Sequence, residues 1–399
     1  MEDGLAAALL RRLRDHGPQT KAALADHVGQ PRTTVSAVVR RLYADGVLED
    51  GPPAPSSGGR RSVTVRIAAR RVFVAVSLGE RRARVATVSG QLGLTGGVSI
   101  DLAPYGVEVA DAAAAIATAV DELLADARPE ATVVAAADPG GPLAVSVLAQ
   151  VCRGRDDVPL SVLPSARAMA LGERHAGLFR GYDDLVALRL GQGVTAATFV
   201  DGRLLGGADG RAGEVGHVQV EEFGPVCTCG RTGCLDAFAG ASAIADQATA
   251  LARRGRSETL ATMLAGLDAD RLAPADVVAA VEAGDPVAVQ LARDVGQRVG
   301  QALAGLVAAT GARGVVLGGP TAALGTHLLN AVRTAVYRSA PPAVAADLEV
   351  VLSDIGERAV LVGAGLSAVE QWVGSQANSD ETSQKLDNVR PKPATERFA

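Results

Sequence analysis

The sequence predicts a winged helix-turn-helix domain followed by an α/β body. Residues 1–67 contain three amphipathic helical patterns and then two short strand patterns with a basic connecting loop, in the order that a winged helix-turn-helix requires. From residue 71 onward, short apolar runs alternate with long helical patterns, as in proteins whose helices cover a buried sheet. One histidine and three cysteines between residues 217 and 234 add a candidate metal site.

Composition places the chain among globular proteins. Of its 399 residues, 48% are hydrophobic and 21% are charged, which excludes a wholly disordered or collagen-like chain. The apolar runs are shorter than the roughly 18 residues of a membrane span, and Met1-Glu2-Asp3 does not begin a signal peptide. We therefore expect a cytoplasmic protein with no membrane partner. Four cysteines in so long a chain are too few for a disulfide framework.

Net positive charge is confined to the N-terminal part of the chain. Residues 1–66 contain ten Arg and Lys against seven Asp and Glu, a net charge of +3, whereas the whole chain carries −5, which leaves −8 for the other residues. A body with that net charge is repelled by a polyanion. Any contact with nucleic acid is therefore expected within the first 66 residues.

Apolar residues at helical spacing predict the three helices of the head. Thr20 is a suitable N-cap for the second helix, Gly29-Gln30-Pro31 forms the turn before the third, and Asp45-Gly46 ends the third. The polar residues of the third helix then face away from its apolar stripe. The stripes of the three helices are Leu5, Leu9 and Leu13; Leu24 and Val28; and Val35, Val38, Val39 and Leu42.

The predicted wing follows the third helix. Val47-Leu48 and the alternating residues of 63–67 predict two short strands, joined by the Pro-, Gly- and Arg-rich loop 51–61. Polar residues of the third helix would enter the DNA major groove, and wing arginines would contact phosphate or the minor groove. The alternative for the arginines is a solvated helix face. The predicted DNA-binding residues are Thr20, Lys21, Arg32, Thr33, Thr34, Ser36, Arg40, Arg60 and Arg61.

One imidazole and three thiols form the strongest site signal. His217, Cys227, Cys229 and Cys234 provide a complete tetrahedral set for zinc with no position left for water, which is typical of a structural ion. The glycines between them supply the tight turns that such a loop needs. The alternative is a group of free thiols beside a surface histidine. Cys152 is distant in sequence and is expected to be an ordinary buried thiol.

The stretch Glu214-Val-Gly-His217, followed by Cys-x-Cys-Gly-x-x-Gly-Cys-Leu, resembles the signature of the ROK family (repressors, open reading frames, sugar kinases). The head resembles that of the family's NagC/Mlc/XylR-like repressor branch, whose winged helix ends with the same Ser-Ser-Gly-Gly-Arg-Arg run. The resemblance covers roughly residues 5–373. It implies a two-lobed, actin-like (ribonuclease-H-like) α/β body with a zinc knuckle.

This resemblance and the polar composition after Trp372 divide the chain into four expected regions. They are a winged helix-turn-helix domain (1–67), a first α/β lobe (71–184), a second lobe with the zinc knuckle and a dimerisation surface (185–373), and a disordered polar tail (374–399).

The resemblance also implies an effector pocket beside the zinc knuckle. In such proteins the Glu of Glu-x-Gly-His, the His itself and an acidic residue two places after the last cysteine face a sugar, and these positions are Glu214, His217 and Asp236 here. Asp236 stands where Glu is usual, so its side chain is shorter by one methylene. The expected partners are an operator in double-stranded DNA, a sugar or sugar-derivative effector, and further copies of the chain in a homodimer or tetramer.

The motifs of the family's sugar kinases are degraded in this chain. The kinases take their general base from an Asn-Asp pair before Ala-x-Ala-x-x-Leu-Gly-Glu, where this chain has Pro164-Ser165. A serine hydroxyl cannot replace that base without an activating partner. The first phosphate loop, usually Asp-x-Gly-Gly-Thr-Lys/Asn, reads Ser-Leu-Gly-Glu-Arg-Arg at residues 77–82. The other two loops are reduced to Gly191-Gln192-Gly193-Val194-Thr195 and Gly318-Gly319-Pro320, so we expect no enzyme activity.

The sequence therefore favours a DNA-binding transcriptional regulator of carbohydrate metabolism, most often a repressor in this branch, whose degenerate kinase body binds an effector and oligomerises. One alternative is a ROK-type sugar kinase with an appended DNA-binding head, which Ser165 disfavours. The other is a regulator that binds DNA without an effector, because Pro164 and Ser165 stand where the Asn-Asp pair hydrogen-bonds sugar hydroxyls.

Overall fold

The computed structural model describes residues 2–54, 62–79, 81–102, 108–267 and 269–377. The chain divides into two compact units. Among the described residues, the first unit combines those up to Arg71 with residues 369–377, and the second comprises residues 72–368. Within the described residues, no helix has both the length and the apolarity needed to cross a lipid bilayer.

The first unit is a head of three helices and a small antiparallel sheet. The helices are α1 (Glu2–His16), α2 (Lys21–Val28) and α3 (Arg32–Ala44), and the strands are β1 (Gln19–Thr20), β2 (Leu48–Pro53) and β3 (Val63–Ile67). The strands lie in the order β1-β3-β2, so β2 and β3 form the hairpin of the wing. Strand β2 extends to Pro53 and so includes the first residues of the predicted wing loop.

Local signals fix the helices of the head as predicted. The backbone of Thr20 is extended, and its Oγ1 accepts a hydrogen bond from the backbone N–H of Ala23 at 3.1 Å, which confirms the predicted N-cap of α2. Gly29 ends α2 in the left-handed conformation, with φ at 62°. The predicted apolar stripe of α3 is buried along its whole length, at Val35, Val38, Val39 and Leu42.

A segment of the C-terminal helix (Arg358–Ala377) completes the head. Glu370 on this helix accepts hydrogen bonds from Arg11 at 2.8 Å and from Arg14, both on α1. Burial alone would raise the pKa of Glu370, but the hydrogen bonds from the two arginines outweigh burial and lower it. The predicted head, residues 1–67, lacks this contact. The helix also continues four residues past position 373, and residues 378–399 of the predicted tail lie outside the described residues.

The second unit contains two five-stranded sheets. The strands of the first sheet are β4 (Val72–Leu78), β5 (Arg82–Ser89), β6 (Leu94–Asp101), β7 (Thr132–Ala136) and β8 (Leu160–Pro164). They lie in the order β6-β5-β4-β7-β8, where β6, β5 and β4 pair antiparallel and β4, β7 and β8 pair parallel. The accompanying helices are α4 (Val109–Leu124), α5 (Pro142–Val151) and α6 (Ser165–Ala176).

The strands of the second sheet are β9 (Leu185–Leu190), β10 (Val194–Val200), β11 (Arg203–Leu204), β12 (Gly314–Gly318) and β13 (Glu349–Leu352). They lie in the order β11-β10-β9-β12-β13. The remaining helices are α7 (Asp236–Ala239), α8 (Ala241–Arg253), α9 (Glu258–Ala265), α10 (Pro274–Glu282), α11 (Pro286–Thr310), α12 (Gly325–Ser339), α13 (Pro342–Ala345) and α14 (Arg358–Ala377).

The two sheets repeat one topology. In each sheet, the first three strands form an antiparallel meander, the fourth strand pairs parallel with the first, and the fifth pairs parallel with the fourth. The sequence shows no fixed-period repeat, because many different apolar sequences satisfy a buried strand at each position. The duplication agrees with the two lobes that the family resemblance implied.

Helix α14 packs against the first sheet as well as against α6. A Cβ added to Gly363 would lie 1.7 Å from the carbonyl oxygen of Ala168 on α6, so the two helix backbones are in direct contact. A Cβ added to Gly365 would lie 3.0 Å from the side chain of Val88 on β5. Part of the predicted second lobe, residues 185–373, therefore contacts the first sheet.

Candidate metal centre and its surroundings

Four side chains converge as a metal-binding set. One ligand atom from each of His217, Cys227, Cys229 and Cys234 lies within 4.8 Å of the others. The Nδ1 of His217 is 3.6 Å from the Sγ of Cys227, and the sulfurs of Cys229 and Cys234 are 3.7 Å apart. Zinc bonds to sulfur of about 2.3 Å in a tetrahedron place two sulfurs about 3.8 Å apart. The donor types and spacings therefore fit a tetrahedral zinc ion.

Backbone turns hold the cysteine loop in this shape. The N–H of Cys227 donates to the carbonyl of Arg231 at 2.7 Å, and the N–H of Gly230 donates back to the carbonyl of Cys227 at 2.9 Å. Gly233 has φ at 70°, and a Cβ there would lie 1.6 Å from the carbonyl oxygen of Glu221. Only glycine therefore fits beside Cys234, as expected from the glycines between the ligands.

The pKa values of two thiols in the cluster are shifted in opposite directions. Hydrogen bonds from Arg231, first from its backbone and then from its side chain, lower the pKa of Cys229 to about 6. Burial raises the pKa of Cys234 to about 11. The guanidinium of Arg231 also donates to the carbonyl oxygen of His217 at 2.8 Å, so one arginine joins both ends of the cluster. A divalent cation would favour the thiolate form at each cysteine.

The three residues expected to face an effector lie together next to this cluster. Asp236 begins α7, and its Oδ2 is 3.9 Å from the Nδ1 of His217. Burial raises the pKa of Asp236, and the charge of Glu214 raises it further, while a hydrogen bond from the backbone N–H of Val194 and the charge of His217 act against this. Glu214 itself is exposed.

Asp236 is also tied to the second glycine loop. Its Oδ1 accepts the hydrogen bond from Val194 at 2.7 Å. Glycines enclose the carboxylate, because a Cβ on Gly216 would lie 2.0 Å from Oδ1 and a Cβ on Gly193 would lie 2.9 Å from Oδ2. The short side chain of Asp236 thus links α7 to the β9–β10 turn. This link could not be predicted from the sequence, because Asp236 and Val194 are 42 residues apart.

Ser165 lies at the junction of β8 and α6, where the kinases have their base. Its side chain is 1% exposed, and its Oγ has no hydrogen-bond partner among the described residues. The hydroxyl of Ser77, at the end of β4 in the first phosphate loop, is likewise buried and unpartnered within the described part of the chain. Among the residues that the structure describes, neither serine is paired with a carboxylate or histidine that could activate it as a base.

The head presents predicted DNA-binding residues on one surface. Lys21, Ser36 and Arg40 line one groove of about 300 Å³, together with Tyr43 and Asp50. The hydroxyl of Tyr43 donates to Asp50 at 2.7 Å and thereby connects α3 to β2.

Four more predicted DNA-binding residues belong to the described part of the head but are not among those that line this groove. Arg32 and Thr33 are exposed in the first turn of α3, and Thr34 is half-buried. Thr20 is half-buried, and its hydroxyl oxygen accepts the α2 cap bond. Arg60 and Arg61 lie outside the described residues.

Three charged residues between the sheets were not predicted from the sequence. Glu357, which precedes α14, is 2.9 Å from the guanidinium of Arg189 on β9 and 3.5 Å from that of Arg84 on β5. Arg189 is 5% exposed. The available signal was an arginine inside the otherwise apolar strand Leu185–Leu190, since an arginine is almost never fully buried unless it is paired.

Comparisons with known proteins agree with this architecture. The ROK family profile matches residues 108–370, and a winged helix-turn-helix DNA-binding profile matches residues 3–49. A glucokinase of Halalkalibacterium halodurans is 34% identical over 229 residues, which cover 56% of this chain and 68% of the relative. The DNA-binding transcriptional dual regulator NagC of Escherichia coli is 24% identical over 373 residues, which cover 89% of this chain and 90% of the relative.

A solved structure shows that the fold is shared along almost the whole chain. The crystal structure of a ROK family transcriptional regulator, a homologue of the E. coli Mlc protein, superposes with a TM-score of 0.76 at 22% identity and covers 94% of this chain and 97% of that one. The predicted family and fold class are thus confirmed. The chain belongs to the ROK family and joins the family's two-lobed, actin-like body to an N-terminal winged helix-turn-helix DNA-binding domain.

Proposed function

We propose that this protein is a transcriptional repressor that binds an operator through its head and senses a sugar or sugar derivative through its body. The observation that carries the proposal is the combination of a buried apolar stripe and an exposed polar surface on α3, the second helix of the helix-turn-helix. NagC, which is similar over nearly the full length, is itself a DNA-binding regulator. The protein works as a homodimer or tetramer, because operators are read as repeated half-sites.

DNA contacts divide into two kinds in this proposal. Arg32, Thr33, Thr34, Ser36 and Arg40 enter the major groove and read base edges. Thr20, Lys21, Arg60 and Arg61 contact the backbone, and the wing arginines reach phosphate or the minor groove. Asp50 lies in the same groove as Lys21 and Arg40, so its negative charge offsets one of the two positive charges there.

The body supplies the effector site and a structural zinc ion. Glu214, His217 and Asp236 face the effector, and zinc bound by His217, Cys227, Cys229 and Cys234 fixes the position of the histidine. The one histidine thus serves both sites. Loss of the Asn-Asp pair at Pro164-Ser165 removes two hydrogen-bond partners of a sugar, so we expect weaker or altered sugar recognition compared with the family's kinases.

The second candidate function is sugar phosphorylation, which the 34% identity to a glucokinase favours. The environment of Ser165 disfavours this function, because the buried hydroxyl of Ser165 has no described partner that could take its proton. We therefore propose a protein without enzyme activity.

The test is DNA binding by the full chain. Genomic binding sites are mapped first, and a bound fragment is then used in gel-shift titrations with wild type, Arg40→Ala and Arg32→Ala. Loss of a base contact weakens specific binding by about 1–3 kcal/mol and relaxes sequence preference. Arg60→Ala and Arg61→Ala weaken binding to all sequences and flatten its salt dependence, because they remove phosphate contacts.

Arg254→Ala, at an exposed arginine of the second unit, is the matched control and leaves affinity unchanged. Equal affinity in all five variants and wild type, with native circular dichroism, would contradict the assigned DNA surface. Metabolites of the enzymes encoded beside the mapped sites are then screened for release of the protein from DNA. Failure of every metabolite in the presence of tight DNA binding would support the effector-independent alternative.

A further inference from the structure

Two β-hairpins of the second unit contain the sequences that stand where the family's kinases have phosphate loops. The first hairpin joins β4 to β5 through the altered phosphate loop of residues 77–82, and the second joins β9 to β10 through the glycine loop of residues 191–195. Arg84 lies on β5 just after the first loop, and Arg189 lies on β9 just before the second. Each arginine therefore belongs to a different sheet.

Glu357 lies between these two arginines. Its Oε1 is 2.9 Å from Nη1 of Arg189, and its Oε2 is 3.5 Å from Nη1 of Arg84. The side chain of Arg189 is 6% exposed, that of Glu357 is 22% exposed and that of Arg84 is 29% exposed. A carboxylate shielded from water to this degree interacts more strongly with its partners than an ion pair on an open surface does.

The surrounding residues hold this arrangement in place. A Cβ on Gly319, in the remnant of the third glycine loop, would lie 3.0 Å from Nη1 of Arg189, so the guanidinium packs directly on that backbone. The loop that presents Glu357 is anchored by Ser353, whose Oγ accepts the backbone N–H of Gly356 at 2.7 Å. Ser353 also donates to the buried carboxyl group of Glu173 on α6.

We propose that Glu357 is an interlobe clasp, in which its carboxylate pairs with Arg84 of the first sheet and Arg189 of the second and holds the two lobes together without a nucleotide. In the family's kinases, the loops beside these arginines are where a nucleotide's phosphates bind. Here the guanidinium of Arg189 packs on the third of these loops, and a protein carboxylate is the anion that two cations share. This inference is independent of DNA binding, since all three residues lie in the second unit.

The clasp accounts for two features of the sequence together. A buried arginine inside the apolar strand β9 needs an anionic partner, and Glu357 supplies one. The bulky residues of the first phosphate loop are expected to exclude the phosphates of a nucleotide, and the clasp provides a connection between the lobes that uses protein groups alone.

The experiment compares Glu357→Gln with Arg82→Gln in the zinc-loaded full chain. Arg82 lies two residues from Arg84 on β5 and pairs with Asp101 at 2.8 Å inside the first sheet, so its loss removes an ion pair that does not join the lobes. Hydrogen exchange is measured by mass spectrometry over residues 72–90 and 185–200. Glu357→Gln speeds exchange in both hairpins by about three- to tenfold, because both lobes lose the shared anion. Arg82→Gln changes at most the first hairpin.

Nucleotide binding is the second readout. A fluorescent ATP analogue with Mg²⁺ shows no saturable binding to the wild type up to about 1 mM, the weak end of ordinary ligand affinity. Unchanged exchange in Glu357→Gln, a change confined to one hairpin, or saturable nucleotide binding by the wild type would each overturn the clasp. Arg189→Gln, which removes the other buried partner, is required to reproduce the two-hairpin pattern, and its failure to do so also counts against the proposal.

Discussion

Glu173 on α6 has a carboxyl group with no exposed surface, and its titration makes the stability of the fold depend on pH. Burial raises its pKa, the charge of Asp354 raises it further, and the hydrogen bond from Ser353 lowers it only in part. Because the pKa in the folded protein lies above its unfolded value, folding favours the protonated form. That contribution is complete below the unfolded pKa and is lost as the pH rises through the folded pKa.

We therefore expect the wild type to lose more stability than Glu173→Gln between pH 5 and pH 8. Glutamine keeps an acceptor for Ser353 but carries no charge to bury. The melting temperatures of both proteins are compared at each pH, with Glu349→Gln, at an exposed position on β13, as the control. Parallel pH profiles for wild type and Glu173→Gln would show that Glu173 remains charged at little cost.

The metal centre gives a second prediction at this scale. Cys229→Ser replaces a proposed thiolate ligand and is expected to lower zinc affinity at least about tenfold, since thiolates hold zinc far better than hydroxyls. Zinc per chain is measured by elemental analysis after dialysis against a graded chelator series. Cys152→Ser, at a thiol far from the cluster in sequence, retains the wild-type content. Retention of zinc by Cys229→Ser as firmly as by the wild type would contradict the assigned ligand set.

Residue types and spacings were enough to predict that the four side chains of the candidate metal centre converge, because their separation along the chain is short. The same reasoning could not find the bond between Asp236 and Val194, or the pairing of Glu357 with Arg189, whose partners are 42 and 168 residues apart. A local pattern does not specify which distant backbone or charge a side chain will meet. Of these residues, Arg189 could have been singled out from the sequence, because it is a charged residue within an apolar strand.

Helices α11 and α12 pack closely because glycines lie at their interface. A Cβ on Gly300 of α11 would lie 2.6 Å from the Cβ of Ala335 and 2.6 Å from the carbonyl oxygen of Val332, both on α12. Gly300→Ala therefore forces the helices apart and destabilises the protein by about 1–3 kcal/mol, the usual cost of overpacking.

Gly305, one and a half turns further along α11, provides the opposite case. Nothing lies within 4 Å of its hypothetical Cβ. Gly305→Ala is thus expected to stabilise the protein by about 0.5–1 kcal/mol, because alanine restricts the unfolded chain and favours the helix. Urea unfolding of both variants measures the two effects. Equal signs for the two substitutions would show that the helix contact at Gly300 is looser than the structure indicates.

Elements buried on both faces were easier to predict than elements at an edge. The apolar runs correctly placed β4, β7, β9 and β12, which lie inside the sheets. The edge strand β6 was not predicted, since most of its residues are exposed and its sequence, Leu94–Asp101, has two glycines and little apolar alternation. An edge strand has hydrogen-bonding partners on one side alone, so its position depends on its neighbour more than on its own composition.

At the scale of the whole molecule, we expect that several separate departures from the kinase motifs each prevent sugar phosphorylation. Ser165→Asp introduces a carboxylate where the family's kinases have their general base, a group worth about 10²–10⁴-fold in an intact active site. The variant is nevertheless expected to remain inactive, because Pro164 and the loop of residues 77–82 still differ from the residues expected to bind sugar and phosphate in those kinases.

ATP consumption is measured for wild type and Ser165→Asp with a panel of hexoses, N-acetylhexosamines and pentoses, beside an active ROK glucokinase. Sugar-dependent turnover near about 1–100 s⁻¹ in the wild type would overturn the proposal of a protein without enzyme activity. Turnover in Ser165→Asp alone would show that a single residue separates this body from a kinase.

The overall architecture was predictable because each region has its own recognisable composition or motif. The head is basic, the body contains apolar runs typical of buried strands, and the candidate metal centre is a cluster of cysteines. The boundary of the head was harder to predict. Glu370 lies 359 residues after Arg11, and no pattern near either residue indicates their contact.

That contact has a consequence for biosynthesis. A ribosome that has translated only the first 368 residues has already released the whole helix-turn-helix sequence from its exit tunnel, but it has not yet supplied the carboxylate that pairs with Arg11 and Arg14. The head therefore reaches its final set of contacts late, after the intervening chain has been made. A prematurely terminated product would carry the winged helix-turn-helix without the ion pairs between Glu370 and α1.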